Sequence, residues 1–306
     1  METSLWFWIA FNAAVLVILA VDLGVFHRKA HAVTMKEAGA WTAAFVSLSM
    51  LFAAIIWRLK GPAKGMEFLT GYLIEYSLSA DNIFVFVLLF RFFAVPAAFQ
   101  HRVLFWGILA AVLLRGMMIG LGVAIIQRFE WIIYVFGAFL VFTGIKILMH
   151  RSTEMHPERN PAIRLFQRIL PVTKEYHGAR FTVRRDGRLF FTPLFIVLLG
   201  VEFTDVIFAV DSIPAIFGIT LDPFIVYTSN ICAILGLRSL YFLLAGIMDL
   251  FIHLQTGLAI ILSFVGVKML LKDVCHVSTA ASLGFIVLVL GVSITVSLMQ
   301  RRREEV

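Results

Sequence analysis

Three carboxylates stand within ten residues of one apolar run, in Glu202-Phe-Thr-Asp205-Val-Ile-Phe-Ala-Val-Asp211-Ser212-Ile-Pro214. An ionisable side chain near a bilayer centre costs ~2.5–3.5 kcal/mol on insertion scales, so three of them oppose insertion by roughly 8–10 kcal/mol. A cation, a basic partner or water must face them. A second apolar run carries Glu75, Asp81 and Asn82. Thr204, Ser212 and Asn230 add neutral oxygen donors, while all eight histidines fall in loops or at the ends of apolar runs. A site built from Glu75, Asp81, Asn82, Glu202, Asp205, Asp211 and Ser212 is made of oxygens, which suits hard divalent cations such as Mn²⁺, Mg²⁺ or Ca²⁺. The donor set argues against Cu(I) or a Cys/His zinc centre, and the carboxylates would repel an oxyanion.

The acids can instead pair with basic residues inside the same runs: Arg115, Arg238, Lys146 and Lys268. The two lysines lie near the ends of their runs and can snorkel to the interface. Arg115 and Arg238, nearer the middle, are the better charge partners. Five core acids exceed two central arginines, so negative charge is left over for a cation or for protons as counter-ion. Geometry adds a constraint. At 100° per residue Glu202 and Asp205 share a helix face, Asp211 lies about 180° from Glu202, and Glu75 and Asp81 are about 120° apart. An uninterrupted helix cannot aim all of them inward. Pro214 removes the hydrogen bond to the Val210 carbonyl, so the helix is expected to open between Ala209 and Pro214, and its counterpart near Ser79–Asn82. Freed carbonyls would then join the ligand set, as in discontinuous transporter helices.

The elements that hold these residues are membrane-spanning. The 306-residue chain is 61% hydrophobic and 15% charged, against ~25% charged for a soluble domain, and its mean hydropathy is +0.94. Runs of about twenty apolar residues cross a ~30 Å hydrocarbon core as helices. Nine such spans are expected, at 5–26, 38–57, 66–91, 103–126, 130–149, 191–217, 224–247, 253–271 and 280–299. The first does not read as a cleaved signal peptide, because no basic residue precedes it and no clear cleavage site follows. With the N-terminus outside and the C-terminus cytoplasmic, the inner segments hold seventeen of the 26 Lys and Arg and the outer loops five, the bias that sets orientation. The net charge of +7 therefore reflects topology and not nucleic-acid binding. Asp22 sits at the inner end of the first span, and Trp41 and Trp57 bracket the second as interfacial anchors.

The chain divides into two N-terminal helices (1–65), a three-helix unit (66–149), a basic cytoplasmic loop (150–190), a second three-helix unit (191–271) and a last helix with its basic tail (272–306). In the loop, 161–171 alternates apolar and Arg positions like a helix lying on the membrane surface. Residues 180–191 read as a hairpin around Asp186-Gly187. The two units read as copies. Glu75 and Asp81 align with Asp205 and Asp211, Leu113-Leu-Arg115-Gly with Gly236-Leu-Arg238-Ser, and Gly144-Ile-Lys146 with Gly266-Val-Lys268. Three spans is an odd number, so the second copy is inverted relative to the first. Inverted repeats place a substrate at the midplane between halves, and Asp81 and Asp211 are expected to approach each other there.

These stretches resemble the TerC/Alx family of bacterial integral membrane proteins over nearly the whole chain. The resemblance rests on Phe68-Leu-Thr-Gly-Tyr-Leu-Ile-Glu75…Asp81-Asn82, Val201-Glu202…Asp205…Phe208-Ala-Val-Asp211-Ser212-Ile-Pro214-Ala-Ile-Phe, Asp222-Pro-Phe…Ser229-Asn230 and Leu235-Gly-Leu-Arg238. It implies an inner-membrane protein of Mn²⁺ export, and it carries the seven site residues above over as the metal site. Tyr76 departs from the family's Glu-Lys-Ser-Leu pattern, removing a charge beside the first acid. The expected protein is thus an all-α polytopic secondary transporter of divalent metal, most directly Mn²⁺, with no bound cofactor. No ATPase motif or nucleophile–base constellation marks it as an enzyme. A membrane scaffold recruiting stress-resistance or metalation partners through 150–190 is the alternative, and the oligomeric state stays open. The two cysteines, Cys232 and Cys275, form no metal-ligand spacing or disulfide framework.

Overall fold

A computed structural model of the chain describes residues 4–21, 33–149, 166, 168–173, 175–185, 188–245, 253–275 and 277–304. Asp22, most of 161–171 and the Asp186-Gly187 turn lie outside the described residues. The helices are α1 Leu5–Val21, α2 Met35–Lys60, α3 Pro62–Phe92, α4 Ala97–Arg128 and α5 Ile132–Met149. A hairpin of β1 Thr182–Arg185 and β2 Arg188–Phe191 follows, paired antiparallel from Thr182↔Phe191 to Arg185↔Arg188. The second half holds α6 Pro193–Phe217, α7 Pro223–Leu235, α8 Leu237–Leu244, α9 Leu254–Leu270 and α10 Thr279–Glu304. Among the described residues six helices (α2 to α6 and α10) are long and apolar enough to cross a membrane, and α7 with α8 makes a seventh candidate bent by 42°. At 17 residues each, α1 and α9 fall short of the ~20 that a span usually needs.

Local chemistry sets the helix starts. Pro62, Pro193 and Pro223 each open a helix, where the missing N–H is not needed and φ is already helical. Gly61 adopts φ 90° so that α2 can turn straight into α3. Asp222 caps α7, accepting from the Phe224 amide at 3.1 Å and the Ile225 amide at 3.4 Å. The Asp222 carboxylate also lies 3.4 Å from Lys64, and Thr220 donates to Glu67 at 2.5 Å. The start of α3 therefore meets the end of α6, and the two run antiparallel. By contrast α4 and α6 run parallel, with Gly107 against Val201 and Gly122 against Phe217.

Every residue of α7 from Phe224 to Leu235 is buried, so this helix is the centre of the molecule, as an all-round apolar helix must be. The periphery shows large apolar side chains outward: Leu16 on α1, Leu113 and Met117 on α4, Phe142 on α5 and Leu288 on α10. Helices α5 and α9 cross at backbone contact. A Cβ at Gly137 would stand 2.9 Å from the Gly266 carbonyl oxygen, and one at Gly144 would stand 2.6 Å from that of Ala259.

The expected openings are absent. Both α3 and α6 are continuous helices through Ser79–Asn82 and Ala209–Pro214. A proline forfeits only its own amide bond and the ladder resumes beyond it, with the Gly218 amide donating to the Pro214 carbonyl at 3.1 Å. The break lies instead at Gly236, between α7 and α8. There the Ser239 hydroxyl donates to the Gly236 carbonyl at 2.9 Å. The ring of Tyr76 lies against that glycine, 3.7 Å from where a Cβ would be.

Tyr176 fastens the hairpin segment to the end of α3 by donating to the Phe93 carbonyl at 2.6 Å. Burial pushes its phenol up to about 12.

Candidate functional site

Arg115 is the hub. Its side chain is 1% exposed and reaches from α4 to carboxylates on two other helices. Nε and Nη2 donate to the two oxygens of Asp205 at 3.1 and 2.7 Å, a fork-on-fork pair of the kind arginine favours. Nη1 forms an ion pair with Glu75 and has the Ser212 hydroxyl at 3.4 Å and the Asn230 amide oxygen at 3.3 Å. Around Glu75 the Asn230 amide donates at 2.9 Å and the Ser79 hydroxyl at 3.1 Å. Four helices, α3, α4, α6 and α7, thus meet through one guanidinium, two carboxylates and three neutral side chains. Two acids against one arginine leave the cluster one negative charge in excess.

Glu202, one turn before Asp205 on α6, has both carboxylate oxygens buried and accepts no hydrogen bond from a described residue. It borders a void of about 10 Å³ lined also by Gly107, Ala111, Asp205 and Arg238, room for about one water molecule. Gly107 makes that room: a Cβ there would stand 3.3 Å from the Glu202 carboxylate. Arg238, in the first turn of α8 just after the break, is brought to the void by the bend.

The remaining residues go elsewhere. Asp211 accepts from Thr143 of α5 at 3.3 Å, while Asp81 has Gln255 of α9 at its carboxylate. The antiparallel register explains the separation. With Gly71 of α3 against Ile216 of α6 and a rise of 1.5 Å per residue, Asp81 and Asp211 lie at depths differing by about 7–8 Å. The expectation that they approach each other at mid-depth therefore fails. Asn82 is buried on α3 away from the Arg115 hub, whereas Ser212 belongs to it. Lys268 donates to Ser282 at 3.0 Å and takes no part. Among the described residues no three Asp, Glu, His or Cys side chains are gathered to hold one ion. Ser79, Thr143 and Gln255 were not expected at the acids. Of these only Ser79 had a sequence signal, lying one helical turn from Glu75.

A family model for integral membrane proteins of the TerC family matches residues 60–305. The chain belongs to the TerC family. An uncharacterized membrane protein of Myxococcus xanthus is 52% identical over 295 residues, covering 96% of this chain and 92% of the relative. The Alx protein of Escherichia coli K12, provisionally named a membrane-bound redox modulator, is 49% identical over 288 residues, covering 91% and 90%. A Rickettsia bellii membrane protein is 37% identical over 294 residues, covering 96% and 97%. No solved structure matches this TerC-family chain. The family membership makes the apolar helices those of an integral membrane protein, so the Arg115 hub and Glu202 are polar chemistry set among membrane helices.

Proposed function

We propose that this chain is a secondary transporter of divalent metal ions, with Mn²⁺ as cargo and export as its direction. The observation that carries the reading is Glu202. Its carboxylate is aimed, without a protein donor among the described residues, at a void the size of one water beside a cluster already negative by one charge. Such a group in a membrane protein is costly to keep unless a cation reaches it, and the carboxylate, hydroxyl and amide oxygens gathered at the adjoining hub suit a hard divalent ion. Glu75, Asp205, Ser212 and Asn230 supply further oxygens at the hub. Asp81 and Asp211, offset from each other by about 7–8 Å in depth and turned to α9 and α5, are read as stations on the path.

Two inverted three-helix units, 66–149 and 191–271, account for the arrangement. The crossing of α5 and α9 is reciprocal under the sequence alignment of the units, in which Gly137 matches Ala259 and Gly144 matches Gly266. Gly137 meets Gly266 while Gly144 meets Ala259, as a two-fold axis requires. Taking α7 with α8 as one span and α1 and α9 as short ones gives nine crossings of the bacterial inner membrane, with the N-terminus outside. Transport then uses proton exchange or the membrane potential. The test is flux of Mn²⁺, Mg²⁺, Ca²⁺ and Cu(I) in proteoliposomes holding the full chain, with and without a pH gradient. Manganese flux that exceeds protein-free vesicles and is inhibited by Mg²⁺ or Ca²⁺ supports the reading. Absence of any divalent flux overturns it.

A further inference from the structure

The atoms best suited to a divalent cation are already occupied by one of the protein's own cations. Both oxygens of Asp205, one of Glu75, and the Ser212 and Asn230 oxygens surround the Arg115 guanidinium. A metal ion and a guanidinium carry like charge and would compete for the same lone pairs. Resting on the transporter reading above, we propose that Arg115 is a tethered, displaceable cation: it fills the Glu75–Asp205 seat in the cargo-free protein and moves toward Glu202 when a divalent ion takes that seat.

The surroundings supply a direction and a destination. Side chains on a helix lean toward its N-terminus, so Arg115 leans toward Ala111, Ile108 and Gly107. These three residues line the void, and its wall also holds Asp205, so the present seat and the void adjoin. At the other side stands Glu202, both of whose buried oxygens lack a donor among the described residues. Arg115 thus has one carboxylate pair it occupies and another carboxylate on the wall of the adjoining void. The absence of a side chain at Gly107 keeps the second one accessible. Arg238 lines the same void, so the destination already has a neighbouring positive charge, which biases the empty protein toward the seat observed. The consequence is that the seat faces Arg115 on the empty return, with one negative charge left over, and the two charges of the metal on the loaded passage.

A fixed salt bridge and a tethered competitor differ in sign. When a binding-competent state is populated only in a fraction of molecules, apparent affinity is reduced by that fraction. A seat held by Arg115 for nine-tenths of the time or more weakens metal binding about tenfold or more. Mn²⁺ binding to the purified full chain, read from loss of the free-ion electron paramagnetic resonance signal, tests this alongside flux in proteoliposomes. Arg115→Gln should bind Mn²⁺ about tenfold more tightly or better while its turnover falls. Glu202→Gln should weaken binding in the native background and leave it unchanged in the Arg115→Gln background, because its effect acts through the arginine. If Arg115→Gln accumulates poorly, Arg115→Gln with Glu75→Gln keeps the net charge of the hub and should bind Mn²⁺ at least as tightly as the native chain. Unchanged or weaker binding in folded Arg115→Gln, with binding abolished by Asp205→Asn, overturns the competition and leaves the metal site standing. Equal weakening by Glu202→Gln in both backgrounds makes Glu202 a direct ligand and refutes the displacement. Mn²⁺ binding that neither Asp205→Asn nor Arg115→Gln alters would remove the transporter reading of this site itself.

Discussion

Replacing Gly144 by alanine probes the α5–α9 crossing on which the two halves meet. The new Cβ would stand 2.6 Å from the Ala259 carbonyl oxygen and 3.1 Å from the Ser263 amide nitrogen, besides meeting the Ser263 hydroxyl. The hydroxyl can rotate aside, but the carbonyl belongs to the backbone of α9. Restoring an ordinary contact requires the helices to part by roughly 0.6–0.8 Å, and dispersion falls steeply over such gaps. Overpacking costs about 1–3 kcal/mol, and a backbone obstacle places this case near the upper end. Alanine returns up to about 1 kcal/mol through its better helix propensity, leaving a net loss of about 2 kcal/mol. Gly120→Ala is the control, since no atom lies within 4 Å of a Cβ there. In detergent-solubilised protein followed by thermal unfolding, a loss of this size lowers Tm by roughly 3 °C, whereas Gly120→Ala leaves it unchanged or slightly higher. Adding Ser263→Ala should restore only part of the loss, because the carbonyl remains. Equal Tm values for Gly144→Ala and Gly120→Ala would refute the close crossing and remove the support it lends to an inverted repeat.

Three further outcomes are expected. Asp211→Asn and Asp81→Asn should each retain membrane insertion yet leave manganese-stressed cells with raised internal Mn²⁺, and wild-type efflux from both would make these acids structural. Asp222→Ala removes the α7 cap and the ion pair with Lys64, and should cost about 1–2 kcal/mol, seen as a lower Tm that Asp222→Asn largely restores through its own capping oxygen. The Tyr176 anchor should survive alkali: a phenol raised by burial to about 12 contributes stability that is whole below its unfolded value near ~10 and is lost as pH climbs through the folded one. Limited proteolysis of the hairpin segment should therefore be unchanged between pH 7 and 9.5, and Tyr176→Phe should quicken it at both.

Much of the candidate site was legible because membrane insertion makes each charge conspicuous. Glu75, Asp205 and Arg115 could be singled out as acids and partner without any contact information, and the hairpin followed from its Asp-Gly turn flanked by strand-forming residues. Periodicity, however, reports which face a residue occupies and not which helix covers that face. Asp81 and Asp211 were equivalent in sequence, yet the antiparallel register of α3 and α6 sets them at different depths beside Gln255 and Thr143. Pro214 was a visible breaker, but one missing amide bond is small beside the packing of a helix that buries Ser212 to Phe217. The break at Gly236 gave only a weak sign, a single glycine before Arg238 in an otherwise apolar run.

The span of chain linking Arg115 to its partners bears on how the protein is made. Glu75 lies 40 residues upstream, whereas Asp205 lies 90 residues downstream. At ~5–20 residues per second, Arg115 is synthesised roughly 5–18 s before Asp205. During that interval Glu75 is the only hub carboxylate available to the arginine, which a lone helix would carry into lipid at a cost of ~2.5–3.5 kcal/mol. The nascent chain therefore has reason to release α3 and α4 into the bilayer as a pair, with Glu75 and Arg115 already joined, and to complete the second half of the guanidinium fork only when α6 arrives.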